Sequence, residues 1–228
     1  MPYLILTLFV AALVYIPSLR ISMVMRKHSK QREDLPGTGG ELAAHLIQRF
    51  ELTDVSLETT DDRNDHYDPG SRTVRLGESN FNGKSLTAIA VAAHEVGHAI
   101  QFDRQEPIST LRSRYLPTAY LLKKAGVLML TATPFIAILL RAPAAIMLFI
   151  GIGLFLQLLG AMAYLIILPE EWDASFKKAM PILTEGEYIS DADIPAVQSV
   201  LKAAAYTYFA AALADLLHIG RWIMILRR

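Results

Sequence analysis

The sequence predicts a mainly α membrane protein in which a small α+β domain is set between apolar helices, and three observations carry that prediction. From Pro2 to Leu19 no residue is charged, and at about 1.5 Å per residue that run nearly spans a bilayer core. From Ala142 to Leu168 about 27 consecutive residues are uncharged, more than a spanning helix needs. Most of the 22 basic and 22 acidic residues lie instead between residues 27 and 118, the composition of a segment that faces water.

Taken in order, residues 1–26 read as a transmembrane anchor. A cleaved signal peptide expects basic residues before its apolar run and a small-residue cleavage site after it. Here Arg20, Arg26, Lys27, Lys30 and Arg32 come after the run, so the helix is expected to stay. Residues 27–122 read as the soluble part. Gly40–Phe50 has helical spacing, while Asp54–Thr60 and Arg72–Gly77 alternate like strands. Between them Asn64–Ser71 is rich in turn formers. Leu86–Gln101 is Ala-rich with Gly97 as its one breaker, a buried helix by composition.

Residues 123–168 read as a transmembrane helical hairpin. Ala125–Leu140 is uncharged, with Lys123 and Lys124 placed to snorkel to a headgroup region. Arg141 to Pro143 breaks the run, and Pro143 suits the first turn of a second helix. Residues 169–228 hold a polar helical stretch to about Met180, an acidic turn, and a last helix over about Pro195–Leu226. Basic residues near helix ends set orientation. Lys123, Lys124, Lys177, Lys178, Arg221, Arg227 and Arg228 fall on one side of such a hairpin and Arg141 on the other. The soluble part is therefore expected on the cytoplasmic side of a multi-pass protein.

Composition excludes several kinds of chemistry. The formal net charge is zero, so no cation excess exists to neutralise phosphates and no nucleic-acid partner is expected. Without cysteine there are no disulfides, no thiolate nucleophile and no Cys-ligated zinc. Any metal must be held by imidazole and carboxylate.

The sharpest motif is AAHEVGHAIQ. Residues four apart on an α-helix share a face, so His94 and His98 can bind one Zn²⁺. Glu95 lies beside them, placed to take a proton from a metal-activated water rather than to ligate. This is the HExxH logic of zinc-dependent peptide hydrolysis. If the histidines only hydrogen-bonded in a core, Glu95 would be buried without a partner. A catalytic zinc wants a third protein ligand, and the other histidines (His28, His45, His66, His218) are isolated in the sequence. The acidic cluster after the long apolar run offers Glu171 first, with Glu170 and Asp173 as rivals; all three also fit a helix N-terminus. The developing oxyanion needs a donor, for which Tyr208 is preferred and His66, Tyr67 and His218 remain alternatives. The Arg72–Gly77 segment serves equally well as an ordinary strand or as a sheet edge for an extended peptide.

These residues together resemble the YugP-like neutral zinc metallopeptidases, bacterial membrane relatives of the gluzincins. The shared segments are DHYDP (Asp65–Pro69), VRLG, the SLTAIAVAAHEVGHAIQ block, LPEEWDAS and VLKAAAYTYFAAAL, in order over nearly the whole chain. The resemblance implies a zincin-like cytoplasmic domain, Zn²⁺ as cofactor and a site in the bacterial inner membrane. It also implies that the Glu of an E-[FW]-x-A-[SD] segment, here Glu171 with Trp172, Ala174 and Ser175, is the third ligand. Related membrane gluzincins carry Asp where Ser175 stands, so a hydroxyl replaces an expected carboxylate beside a metal ligand.

The function expected is a membrane-bound zinc-dependent endopeptidase acting near the cytoplasmic membrane surface on peptides or proteins associated with the bilayer. An intramembrane-cleaving zinc protease also uses HExxH, but it resembles chains with the motif inside a membrane helix and an Asp-Gly ligand segment. Here polar ESNFNGKS precedes Leu86 and no Asp-Gly follows the hairpin. A non-catalytic zinc-binding membrane scaffold would not need Glu95.

Overall fold

The computed structural model describes residues 2–140 and 142–212. Its chain forms two compact units, one of Met1–Ser18, Leu111–Leu168 and Tyr208–Arg228, the other of Leu19–Thr110 and Pro169–Thr207.

In the first unit the apolar stretches form long helices. Helix α1 runs Pro2–Lys27, crossing into the second unit after Ser18. Helix α5 (Leu111–Leu140) and helix α6 (Pro143–Asp173) are the hairpin, and both are long and apolar enough to cross a membrane. Pro143 opens α6, where its missing N–H costs nothing. Helix α5 begins well before its uncharged stretch, accommodating Pro117. The two helices touch at a small residue: a Cβ on Gly126 would stand 2.7 Å from the Gly153 carbonyl oxygen and 2.8 Å from Gln157 Cγ. Such contact between backbones favours helix pairing in an apolar medium, where no hydrophobic drive acts between helices. The outward faces carry Leu128, Phe135, Ile138, Leu139, Met147 and Phe155, all well exposed.

The second unit is built around one buried helix. Helix α4 (Leu86–Asp103) starts at Ser85, whose hydroxyl accepts the Ala88 amide at 3.2 Å. Every residue from Leu86 to Gln101 is buried, because other elements cover it on all sides. Helix α2 (Gly39–Arg49) packs on it, opened by a reciprocal cap in which Thr38 Oγ1 accepts the Glu41 amide at 3.2 Å and Glu41 accepts the Thr38 amide at 2.8 Å. The short helix α3 (Glu78–Phe81), a three-stranded sheet and helix α8 (Ile194–Ala205) complete the cover. The end of α1 joins in: Thr87 donates its hydroxyl to the Met25 carbonyl and its amide to the His28 carbonyl, at 2.8 and 3.1 Å.

Four sequence expectations change. Within the turn-rich Asn64–Ser71 stretch, His66–Asp68 forms a strand, β2, between β1 (Ser56–Thr60) and β3 (Thr73–Gly77) in the chain. Three residues are too few to show a period; Tyr67 alone turns inward, its ring 5.9 Å from that of Phe102. The turn chemistry holds in Asp68, which accepts the Gly70 amide and the Ser71 hydroxyl. The sheet order is β1-β3-β2, parallel then antiparallel. Strand β3 is therefore central: of the two readings open for this segment, the ordinary strand holds and the sheet edge for a peptide is corrected. Helix α6 also does not stop where polarity begins: it continues through Pro169 to Asp173, winds into a π-helical turn over Ala174–Ala179, and resumes as α7 (Met180–Glu185). The last helix is interrupted at Tyr206, and its expected continuation beyond residue 212, His218 included, lies outside the described residues.

Candidate metal centre

Helix α4 delivers His94 and His98 from one face, one turn apart, with ring centroids 4.7 Å apart. The third group arrives from the end of α6. Glu171 Oε2 lies 3.3 Å from His94 Nε2 and 3.4 Å from His98 Nε2. Those separations are long for hydrogen bonds between ring nitrogen and carboxylate. They equal the edge of a tetrahedron with bonds of about 2.0–2.1 Å, which is about 3.3–3.4 Å and the spacing of N and O ligands on zinc. Among the described residues these three alone form a cluster with ligand atoms mutually within 4.8 Å. All three are buried, Glu171 to 1% exposure.

Glu95 is buried with them, and its Oε2 has no hydrogen-bond partner among the described residues. Leaving a buried carboxylate oxygen unpaired is costly unless something in the site uses it. Two imidazoles, one carboxylate and an uncommitted carboxylate beside them fit Zn²⁺ in chemistry as well as in spacing.

The imidazoles are held from behind. Ser175 donates its hydroxyl to the Leu201 carbonyl at 3.1 Å, so the same oxygen accepts His94 Nδ1–H at 3.0 Å. His98 Nδ1 lies 3.0 Å from Gln101 Oε1. The Gln101 amide nitrogen donates to Asp173 Oδ2 at 2.8 Å and to the Glu170 carbonyl at 3.1 Å. With both Nδ1 atoms donating, both Nε2 atoms carry lone pairs toward Glu171. Burial pushes the Asp173 carboxyl up, but hydrogen bonds from Gln101, Lys178 and Lys177 outweigh it and hold the group below its ordinary value.

Two features bring the α6 end to α4. Gly97 is the first: a Cβ there would sit 2.9 Å from the Ala174 carbonyl oxygen and 3.3 Å from Lys178 Cβ. The second is the π turn, in which the Met180 amide reaches back five residues to the Ser175 carbonyl. Such turns recur at functional sites.

The sequence candidates thus separate. Glu171 converges on the two histidines; Asp173 turns to Gln101 and Lys178, and Glu170 Oε1 stays 4.0 Å from His98 Nδ1. His45 pairs with Tyr188, and His28 lies 3.4 Å from the Ser199 hydroxyl. His66 donates Nδ1–H to the Asn64 carbonyl. Tyr67 packs on Phe102, its phenol pushed up to about 12 by burial. Tyr208 belongs to the first unit, its ring 6.2 Å from that of Tyr164 and 5.4 Å from the Arg112 guanidinium carbon. Gln101 went unread in the sequence, although its position three residues after His98 puts it on the same face.

A family model described as "Putative neutral zinc metallopeptidase" matches residues 3–227. The chain belongs to this family. It is also 33% identical over 226 residues to the "Putative membrane protease YugP" of Bacillus subtilis (strain 168), covering 99% of this chain and 96% of that one. No solved structure matches it. Membership makes Zn²⁺ the cofactor and supports a zinc protease acting on peptides or proteins.

Proposed function

We propose that the chain is a membrane-bound, gluzincin-like zinc endopeptidase in which His94, His98 and Glu171 hold the metal and Glu95 is the general base. The observation that carries this reading is the convergence of three buried ligands beside a carboxylate oxygen with nothing else to bind. Zn²⁺ in that position supplies Lewis acidity, lowering the pKa of a water toward about 7 and polarising a scissile carbonyl. Glu95 Oε2 accepts the proton as the carbonyl carbon is attacked, then returns it to the departing amine nitrogen. Ser175 accepts His94 Nδ1–H and so keeps the His94 Nε2 facing inward throughout.

In this reading residues 1–26 anchor the chain and residues 123–168 cross the bacterial inner membrane and return. Residues 27–122 and 169–228 supply the two halves of the site on the cytoplasmic side, facing substrates associated with the bilayer. Exposed apolar side chains on α5 and α6 support the crossing. The seating of α4 within an α+β core, under α2, α8 and the sheet, favours this over cleavage inside the membrane.

The test compares wild type with Glu95→Gln in detergent, reading zinc content and cleavage of an unstructured protein such as casein. The expected result is one zinc per chain in both and activity in wild type alone. Full cleavage by Glu95→Gln would refute the role of Glu95 and favour a scaffold that merely keeps the metal.

A further inference from the structure

The backs of the two histidines end in groups that differ in how firmly they are fixed. Ser175 is backed by one backbone carbonyl. Gln101 is backed by a chain of side chains that leads out of the site: Gln101 to Asp173, Asp173 to Lys178 at 3.1 Å, and Lys178 to Glu106 at 3.0 Å. Gln101 is wholly buried, so water offers it no substitute partner.

We propose that Gln101 is a positioning residue for the metal centre, its amide direction set by Asp173 so that His98 presents a bare Nε2. This inference rests on the zinc reading above. The logic is one of donors and acceptors. A primary amide has two N–H bonds and one carbonyl oxygen. A carboxylate at 2.8 Å and a backbone carbonyl at 3.1 Å take both N–H bonds. Only the oxygen remains to face His98 Nδ1, and an oxygen can only accept. The imidazole must then carry its proton on Nδ1, which is the tautomer a metal ligand at Nε2 requires. Turning the amide over would set an N–H against an N–H and an oxygen against a carboxylate. Asp173, a rival for third ligand in the sequence, thus acts on the metal through Gln101. Like Ser175, Gln101 is a neutral acceptor: it orients the ring without pressing negative charge on it, as a carboxylate would.

The experiment measures zinc affinity of the detergent-solubilised full chain by competition with a chromogenic chelator, alongside the unfolding temperature of the metal-free protein. Gln101→Met keeps the volume and removes the polar atoms; Gln101→Glu keeps an acceptor for His98 but sets a carboxylate against Asp173. Each is expected to weaken zinc binding about 10- to 100-fold. Combining Gln101→Glu with Asp173→Asn reverses the pair, an asparagine amide now donating to the new carboxylate, and is expected to recover part of the affinity, the Glu170 carbonyl still lacking its donor. Recovery is something that packing alone does not provide. Wild-type affinity in Gln101→Glu, or no recovery in a double variant whose metal-free form unfolds like wild type, would overturn the proposal. If Gln101→Glu does not fold, Gln101→Met and the double variant decide it by the same readout. Glu171→Ala keeps the two claims apart: if it binds zinc as wild type does, the metal site itself is misplaced, whereas loss there with wild-type affinity in both Gln101 variants refutes only the positioning role.

Discussion

Replacing Gly97 with alanine probes how the site is closed. The added methyl would stand 2.9 Å from the Ala174 carbonyl oxygen and 3.3 Å from Lys178 Cβ. Relaxed C···O contacts lie at about 3.3–3.6 Å, so α4 and the π turn must separate by about 0.4–0.7 Å. The obstructing atom is backbone and has no rotamer to escape into. Alanine is better than glycine in a helix by about 1 kcal/mol, while overpacking costs about 1–3 kcal/mol. The metal-free protein should therefore lose about 0–2 kcal/mol, a fall in unfolding temperature of no more than about 8 °C at about 2–4 °C per kcal/mol. Zinc binding at the proposed site should suffer more, because Glu171 is three residues from the displaced carbonyl and its Oε2 would have to keep its 3.3 and 3.4 Å spacing from the two imidazole nitrogens. A tenfold rise in zinc Kd, about 1.4 kcal/mol, is the least expected from a shift of that size. Chelator competition reads the affinity and differential scanning fluorimetry the stability. If Gly97→Ala is more stable than wild type and binds zinc equally well, Gly97 does not set the approach of the third ligand.

Glu95→Gln should lower turnover by about 10²–10⁴-fold, the usual worth of a general base, with zinc content unchanged; a loss of zinc instead would make Glu95 a ligand. Tyr208→Phe should lower kcat by about 10²-fold with KM unaltered if its hydroxyl serves the oxyanion, and an unchanged kcat would remove it from the mechanism. The Asp68 carboxyl is held at about 2, below its ordinary 3.8, first by the Ser71 hydroxyl and then by the Gly70 amide and Arg75. Its folded value is depressed, so its stabilisation is complete above pH 3.8 and is lost as pH falls through about 2. Asp68→Asn should flatten the decline of stability across that window, and an acid-unfolding series with the wild-type slope would exclude it. Gly126→Leu should separate α5 from α6 and lower the thermal stability of the full chain in detergent, since its Cβ would meet the Gly153 carbonyl at 2.7 Å.

The pattern of hydrophobicity revealed the elements that are long or sharply periodic. Leu86–Gln101 and the two apolar runs are legible because a buried or lipid-facing helix must be apolar all round. Strand β2 is not, since three residues with one inward side chain carry no period. The unbroken passage of α6 through Pro169 is not, because proline in a helix is tolerated only where surrounding packing supports it. At the site, His94, Glu95 and His98 follow from helical geometry alone. Choosing among Glu170, Glu171 and Asp173 does not. Three acids within four residues differ only in direction, and that direction is fixed by Gly97, Ser175 and a π turn that depend on contacts made roughly 80 residues away in the chain.

The order in which the proposed ligands are synthesised has its own consequence. His94 and His98 leave the ribosome first, and Glu171 follows only after both α5 and α6 have been made. At translation rates of about 5–20 residues per second, the intervening stretch of roughly 70 residues takes about 4–14 s. During that interval the nascent chain displays only two of the three proposed ligands, and the proposed hydrolysis has no complete site. On the proposed reading, the topology itself keeps the chain inert among unfolded neighbours until the helical hairpin that precedes Glu171 is complete.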